Sequence, residues 1–353
     1  MAAHYDLVHW TPFKKNYDLV ILAGVLSFLV LFSGVSLLAH PTITIETLII
    51  RATGSLSFLM LHIILAIGPL SRLNKLFLPL LYNRRHLGVS MFFISLIHGI
   101  FNLIQFHALG NINPIVSLFS SNTHFGSLSR FPFQALGFVA LILLASMAAT
   151  SHDFWLKNLG AKRWKMLHMT VYLAYALILM HVFLGIIQYE HSPVLVISLY
   201  LGMISLIVLH LLAALKTNRE IKSSTVSMQS DPDGYLPVCS IDDIPDHRAR
   251  MISLGNQKIA VFKYDHKISA VHNQCKHQHG PLSEGKIIDG CITCPWHGYQ
   301  YLPHNGQSPA PFTEKVATYR VKIRGQQVFI HPEALPEGTP CTPASIHHEH
   351  NMA

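Results

Sequence analysis

Charged residues are scarce in this chain: Lys, Arg, Asp and Glu make up only 12% of 353 residues, whereas 50% are hydrophobic. A single soluble protein of this length needs more charge than this. Cysteine is also scarce, with five residues, which excludes a disulfide framework and indicates a reducing compartment for the C-terminal part. The formal charge of +8 does not indicate nucleic-acid binding, because the lysines and arginines flank apolar runs instead of forming a stripe with aromatic residues.

The hydrophobic residues are concentrated before residue 215, in six runs that each approach the roughly 20 residues needed to cross a bilayer. Buried helices of a soluble protein are the alternative, which six successive runs of this length disfavour. We therefore predict a membrane-embedded all-α six-helix bundle over residues 17–215, in contact with lipid. The runs lie at residues 17–39, 50–70, 87–106, 131–150, 167–187 and 193–215.

The loops between these runs differ in charge. Most lysines and arginines lie before the first run, between the second and third, between the fourth and fifth, and after the sixth. The loops on the other side carry only Arg51 and Arg130. Because cytoplasmic loops are enriched in Lys and Arg, we expect both termini in the cytoplasm.

Histidine is almost the only ionisable residue type within the runs. His62 lies in the second run, His98 in the third, and His168 and His181 in the fifth, while His86 directly precedes the third. Ionisable side chains within a membrane are costly and usually functional. One such histidine is often only a hydrogen-bonding core residue, but several on neighbouring spans favour a metal cofactor. Haem b held by two imidazoles is the usual case in a helical bundle.

The depth of each histidine predicts how they pair. His168 and His181 are thirteen residues apart, which is about 20 Å along a helix and too far for one iron. This spacing suits one haem near each face of the membrane. His98 lies near the depth of His181, and we pair these two for an outer haem. For an inner haem we pair His168 with His86, and His62 is a nearly equal alternative. One or two haems are therefore expected.

Two short boxes, Cys275-Lys-His277 and Cys294-Pro-Trp-His297, lie sixteen residues apart beyond the apolar region. They supply two thiolates and two imidazoles, the ligands of a Rieske-type [2Fe–2S] centre. A tetrahedral zinc site with the same four ligands is the alternative. The order in which Cys and His alternate along the chain favours the cluster, since zinc fingers pair Cys with Cys and His with His.

Residues 234–335 are predicted to form a small all-β domain, because short β-prone runs alternate there with turn residues. We expect residues 216–233 to be a linker and residues 336–353 to be a disordered tail. The predicted strands are Tyr235–Ser240, Arg248–Leu254, Lys258–Tyr264, Lys267–His272, Thr318–Ile323 and Gln327–Ile330.

The membrane part resembles the ferric reductase-like transmembrane domain. The similar segments are Arg84-Arg85-His86-Leu87-Gly88, followed by His98, and Leu167-His168-Met-Thr-Val-Tyr172, followed by His181. The family includes the haem-binding membrane subunit of the bacterial methionine-sulfoxide reductase system. The resemblance implies b-type haems on histidines of the third and fifth spans, and location in a bacterial inner membrane.

The C-terminal part resembles Rieske ferredoxins, through His279-Gly280-Pro281-Leu282 and Pro295-Trp296-His297-Gly298. Rieske proteins of the respiratory bc complex carry an extra cysteine in each box, where this chain has Gly280 and Trp296. Their serine donor to a bridging sulfide is replaced by Tyr299, while Tyr301 is retained. Fewer hydrogen bonds to the cluster predict a reduction potential near the low end of the Rieske range, about −150 mV.

Together these features predict a transmembrane electron-transfer protein that is a component of an oxidoreductase. We expect a cytoplasmic electron donor, either a reductase or a ferredoxin-like protein, and an acceptor that is quinone, ferric iron or a periplasmic partner. The direction of electron flow stays open. Two alternatives are a redox sensor, in which the cluster changes a partner interface, and a non-redox membrane scaffold that binds zinc.

Overall fold

The computed structural model describes residues 12–82, 84–190, 193–223, 230–277, 279–296 and 298–346. Contacts between Cα atoms divide the chain into two units. The first comprises Met1–Pro69 and Asn83–Leu211, and the second comprises Leu70–Tyr82 and Leu212–Ala353.

The N-terminal part is helical throughout its described elements, as its long apolar runs predict. The α-helices are α1 (Pro12–Ala39), α2 (Ile45–Leu73), α3 (Leu78–Tyr82), α4 (Arg84–His107), α5 (Pro114–Ser120), α6 (Phe133–Ala149), α7 (Asp153–Met169), α8 (Val171–Gly185) and α9 (Pro193–Ser223).

Five stretches among the described residues are long and apolar enough to cross a membrane. The fourth predicted run forms α6, which is apolar but has only 17 residues. At 1.5 Å per residue such a helix is about 26 Å long, slightly less than the hydrocarbon thickness. A helical membrane domain is thus confirmed, and a sixth crossing stays a prediction. The five stretches are Lys15–Ala39, Ile45–Leu73, Arg84–His107, Arg163–Tyr189 and Pro193–Arg219.

Helix α6 packs against α4, α5 and α8. Ala140 of α6 and Ala174 of α8 are both buried, and their small side chains allow the helices to approach closely. Helix α7 is two helices joined at Gly160, where φ is 75°. Its second part leads directly into α8, so the fifth span is nearly continuous.

The C-terminal unit contains eleven described strands. One sheet has the order β1-β10-β9, and a second has the order β11-β4-β3-β2-β5-β6-β7, with β8 also paired to β4. The strands are β1 (Leu236–Ser240), β2 (Arg248–Leu254), β3 (Gln257–Tyr264), β4 (Lys267–His272), β5 (Lys286–Ile288), β6 (Cys291–Thr293), β7 (Gln300–Tyr301), β8 (Thr318–Tyr319), β9 (Val321–Arg324), β10 (Gln327–Ile330) and β11 (Ala344–Ser345).

Hairpin turns set the register of the central strands. Asp265 and His266 both have positive φ, 44° and 54°, as a two-residue type I′ turn between β3 and β4 requires. Tyr264 consequently pairs with Lys267. The long β2–β3–β4 meander supports the loops that follow β4 and β6, which contain the two predicted ligand boxes.

Two boundaries differ from the sequence-based expectation. Helix α9 continues to Ser223, so residues 216–223 are helical and not part of an extended linker. In the predicted tail, Ala344 and Ser345 pair with Ile268 and Lys267. The tail is therefore ordered to residue 346, because its backbone completes the free edge of β4, and residues 347–353 lie outside the described residues.

Candidate functional site

A cavity lies between α2, α4, α6 and α8, in the N-terminal unit. It encloses about 880 Å³ when the space open at its mouth is included. His98 and His181 both line it, and none of its lining residues in the described part of the chain is Asp, Glu, Lys or Arg. The cavity lining is therefore mostly apolar, and its polar groups are the two imidazoles together with serine, asparagine and glutamine side chains.

The rings of His98 and His181 face each other edge to face, with centroids 6.2 Å apart. Each Nδ1 lies 2.9 Å from a backbone carbonyl oxygen, that of Ile50 for His98 and that of Phe133 for His181. A carbonyl only accepts hydrogen bonds, so each Nδ1 donates, and each Nε2 keeps its lone pair. This is the usual state of a metal-ligating histidine, whose second nitrogen is held by a backbone or side-chain acceptor.

Glycines leave the space that these two rings occupy. A β-carbon at Gly54 would lie 2.9 Å from His98 Nδ1, and one at Gly137 would lie 2.8 Å from the His181 ring. The matching positions form an internal repeat, since Ile50 and Phe133, Gly54 and Gly137, and His98 and His181 all differ by 83. The two halves of the cavity are thus built alike, and this repeat is the sequence signal that would have revealed both glycines.

His168 has a different environment. Its ring stacks on Trp164, with centroids 3.9 Å apart, and its Nε2 lies 3.3 Å from the Thr150 hydroxyl. The same hydroxyl donates to the Ser146 carbonyl at 2.7 Å, and Trp164 Nε1 donates to the Thr150 carbonyl at 2.9 Å. The guanidinium group of Arg85 lies over the indole ring of Trp164, 5.3 Å from its centroid. An iron bound to His168 Nε2 would replace its hydrogen bond to Thr150.

His86 and His62 have partners of different kinds. His86 Nδ1 lies 2.8 and 2.9 Å from the two carboxylate oxygens of Asp18, which leaves its Nε2 lone pair for a metal. His62 Nδ1 bonds the carbonyl of Phe58 at 3.0 Å, and its Nε2 lies 3.1 Å from the Tyr175 hydroxyl. The Nε2 of His62 is thus already engaged. Of the two alternatives for an inner ligand, His86 has the more suitable hydrogen bonding.

The two ligand boxes of the C-terminal unit fold into loops of the same shape. The backbone N–H of Cys275 donates to Gly280 and that of Cys294 donates to Tyr299, at 2.9 and 2.8 Å. In each loop the residue four after the cysteine has positive φ, His279 at 63° and Gly298 at 70°. Each cysteine is therefore presented at the start of a tight turn.

The loops bring the two thiols together in the interior. Cys275 is 1% exposed and Cys294 is 2% exposed, and a β-carbon at Gly280 would lie 2.9 Å from Cys294 Sγ. The hydrogen bond with Cys294, and then the one with Tyr301, lowers the pKa of Cys275 to about 6. A thiol that ionises readily beside a second buried thiol suits a metal centre.

Tyr301 connects the first loop to the core. Its hydroxyl accepts from the N–H of Lys276 at 2.9 Å, and its own hydrogen is directed to Cys275 Sγ at 3.3 Å. Burial, and then the neighbouring Cys275, raises the pKa of Tyr301. The tyrosine is therefore a protonated donor to the thiolate throughout the physiological pH range.

Tyr299 has two contacts that bear on the cluster. Its ring stacks on that of His277, with centroids 5.1 Å apart and planes 9° apart. Its hydroxyl donates to the carboxylate of Glu314. The donor set of Cys275, Cys294 and His277 fits a Rieske centre, and the fourth predicted ligand, His297, lies outside the described residues.

Comparison with known families identifies a matching family for both the N-terminal and the C-terminal part of the chain. The family described as "Ferric reductase like transmembrane component" matches residues 49–179, and that described as "Rieske [2Fe-2S] domain" matches residues 234–320. The chain is a ferric reductase-like transmembrane domain fused to a Rieske domain. The Rieske match supports a [2Fe–2S] cluster at the C-terminal boxes in preference to zinc.

Each relative resembles one of the two domains. The Rieske domain is 34% identical over 98 residues to the anthranilate 1,2-dioxygenase ferredoxin subunit of Burkholderia cepacia, covering 28% of this chain and 91% of that protein. It is 32% identical over 99 residues to the biphenyl dioxygenase ferredoxin subunit of a Pseudomonas strain, covering 27% and 90%.

The ferric reductase-like domain is 33% identical over 136 residues to a protein-methionine-sulfoxide reductase heme-binding subunit, MsrQ, of Polaromonas naphthalenivorans. This match covers 38% of this chain and 57% of that protein, so the chain spans little more than half of MsrQ. Both domains are thus of electron-transfer types, within an integral membrane protein.

Proposed function

We propose that this protein transfers electrons across the membrane, between a Rieske [2Fe–2S] cluster on the cytoplasmic side and b-type haem within the helices. The observation that carries the proposal is the pairing of His98 and His181 in one cavity, in the same chain as a Rieske domain. The printed name of MsrQ, a heme-binding subunit, supports it further.

The cavity fits a haem with two imidazole ligands. The imidazoles of His98 and His181, whose ring centroids lie 6.2 Å apart in one cavity, would be the residues that hold the haem. Bound haem would supply one-electron exchange at iron. The residues of this chain orient the two rings through their Nδ1 bonds, and the mostly apolar lining would limit the access of water.

A second haem nearer the cytoplasm is a further part of the proposal, with His168 and His86 as ligands. The hydrogen bond from His86 to Asp18 supports His86 over His62, because a carboxylate partner increases the basicity of the free ring nitrogen.

The same proposal includes the location of the protein. The concentration of Lys and Arg in alternate loops supports cytoplasmic termini, and the similarity to MsrQ of a bacterium supports location in a bacterial inner membrane. The similarity to ferredoxin subunits of dioxygenases supports a cytoplasmic reductase or ferredoxin-like protein as the donor. Quinone, ferric iron and a periplasmic partner are the proposed classes of acceptor.

The test uses the full chain, purified anaerobically from membranes and supplied with NADH and a ferredoxin reductase. We expect a Rieske-type EPR signal on reduction, followed by the optical bands of reduced low-spin haem. Cys294→Ser should prevent haem reduction by the enzymatic donor, while dithionite still reduces the haem.

Two further variants connect the haem to its ligands. His98→Ala and His181→Ala should each remove the low-spin spectrum, whereas His210→Ala, which bonds only its own helix and Tyr172 in the described contacts, should retain it. The proposal is wrong if the wild-type protein binds no haem, or if Cys294→Ser leaves the rate of enzymatic haem reduction unchanged.

A further inference from the structure

A hydrogen-bonded chain of three polar side chains leads to the cavity of His98 and His181. At its centre is His107, the last residue of α4, which is only 5% exposed. His107 Nδ1 lies 3.0 Å from the Ser117 hydroxyl on α5, and its Nε2 lies 3.0 Å from Gln134 Oε1 on α6. Gln134 itself lines the cavity.

These contacts fix the direction of the hydrogen bonds. An amide oxygen only accepts, so Nε2 of His107 donates to Gln134, and Nδ1 of the neutral ring accepts from the Ser117 hydroxyl. The oxygen of the Gln134 amide is therefore held by His107. Its N–H groups are left to donate to another acceptor, and Gln134 is one of the residues that line the cavity.

The position of Gln134 relates it to the proposed ligands. It follows Phe133, whose carbonyl oxygen holds His181. Asn102, one helical turn beyond His98, lines the cavity as well. Gln134 and Asn102 thus place amide groups on the cavity lining, each in a segment next to one of the two histidines. Among the described residues, no lysine or arginine lines the cavity.

Haem b carries two carboxylates, and a carboxylate in an apolar site needs hydrogen-bond donors when no cation is present. We propose that the Gln134 amide donates to a haem carboxylate, and that His107 and Ser117 are positioning residues that orient this amide. The inference rests on the proposed haem at His98 and His181, and it assigns Gln134 as a residue that binds a carboxylate of that haem.

The decisive variant is Gln134→Glu, in the full-length protein. Glutamate has nearly the same shape and can still accept from His107, but it lacks the amide donors and adds a negative charge. We expect a shifted carboxylate bending mode in the resonance Raman spectrum and a more negative midpoint potential, because uncompensated negative charge stabilises ferric iron. Haem transfer to apomyoglobin should be at least about tenfold faster, as expected for loss of a hydrogen bond to a charged group.

Gln134→Leu should change all three measurements in the same direction without the added charge. His107→Phe should reproduce the Raman shift to a smaller extent, because the amide is then present but not oriented. The matched control is Gln105→Leu, which removes an amide from the last turn of α4. This amide donates to Thr47 and does not line the cavity. It should behave as the wild type does.

The outcomes separate this inference from the proposed function. Unchanged Raman mode, potential and haem transfer rate in both Gln134 variants would overturn the inference while leaving the haem proposal intact. A change of equal size in Gln105→Leu would also overturn it, because the loss of an amide outside the cavity would then have the same effect. A wild-type protein without haem would overturn both.

Discussion

The ring of His181 packs against the backbone of Gly137, so closely that a β-carbon at this glycine would lie 2.8 Å from two ring atoms. Gly54 has the same relationship to His98 in the other half of the repeat, at 2.9 Å. In both cases the glycine provides the space in which the ring can reach its carbonyl partner.

Gly137→Ala should therefore displace the His181 ring and weaken haem binding. Overpacking of this kind costs about 1–3 kcal/mol, which corresponds to roughly tenfold to hundredfold weaker binding. Haem content and the optical spectrum of the purified protein measure the effect. Gly88→Ala is the matched control, since no atom lies within 4 Å of the added carbon there. Equal haem content in the two variants would show that the contact with His181 has no role in binding.

Tyr301→Phe should lower the reduction potential of the Rieske cluster. The variant removes the hydroxyl that lies 3.3 Å from Cys275 Sγ, and this hydrogen bond stabilises the more negative, reduced cluster. Loss of about 1 kcal/mol corresponds to a decrease of roughly 40–50 mV. A redox titration followed by EPR measures it. Tyr264→Phe is the control, because its hydroxyl bonds Ser269 at 2.8 Å, and its potential should equal that of the wild type.

The absolute potential of the cluster should lie near the low end of the Rieske range, about −150 mV. The Tyr299 hydroxyl, which stands in place of a serine donor, is directed to Glu314, and this contact agrees with the expected loss of a donor to sulfide. The same titration at neutral pH gives the value. A potential above roughly +150 mV would contradict the prediction.

Alkaline pH should destabilise the Rieske domain through Cys239. Burial raises the pKa of this thiol from 9.0 to about 11, so the folded state holds the proton more tightly than the unfolded state. The resulting stability is fully present below pH 9 and is lost as pH rises towards 11, by at most about 3 kcal/mol. Chemical unfolding of the full chain, followed by the visible circular dichroism of the cluster, measures it. Cys239→Ala should unfold with a smaller decrease over the same pH interval, and an identical decrease would exclude Cys239 as the cause.

His86→Ala should remove the proposed second haem, whereas His62→Ala should retain it. The reason is that His86 donates to the Asp18 carboxylate and keeps Nε2 free, while Nε2 of His62 is 3.1 Å from the Tyr175 hydroxyl. Haem-to-protein ratios of the two variants and of His168→Ala make the comparison. In addition, Asp18→Asn should raise the potential of that haem, because a neutral partner makes the ligand less basic. Haem loss in His62→Ala alone would favour the alternative pairing.

Several local features could be predicted because each depends on residues close together in the chain. The bounds of β2, β4 and β10 agree with the predicted strands, since alternating β-prone residues end at turn residues such as Asp265 and His266. The short strands β5, β6 and β7 were not predicted. They are two or three residues long and are stabilised by pairing with neighbouring strands. The local sequence alone therefore does not predict them.

The candidate sites likewise combine features that could be predicted from the sequence with features that could not. The spacing of the histidines along two apolar runs indicated that His98 and His181 share a depth, and the structure places their rings in one cavity, although their role as ligands stays a prediction. The hydrogen-bond partners Ile50 and Phe133, the chain through His107 to Gln134, and the bond from His86 to Asp18 were not foreseen.

The sequence by itself determined that the chain has a helical membrane part and a Rieske part, because apolar run length and ligand spacing follow directly from the order of residues. Only the tertiary structure decided which ring nitrogen of each histidine is free and which amide borders the cavity. Those properties depend on contacts between helices that are distant in the chain, and no local pattern of residues encodes the packing that brings the helices together.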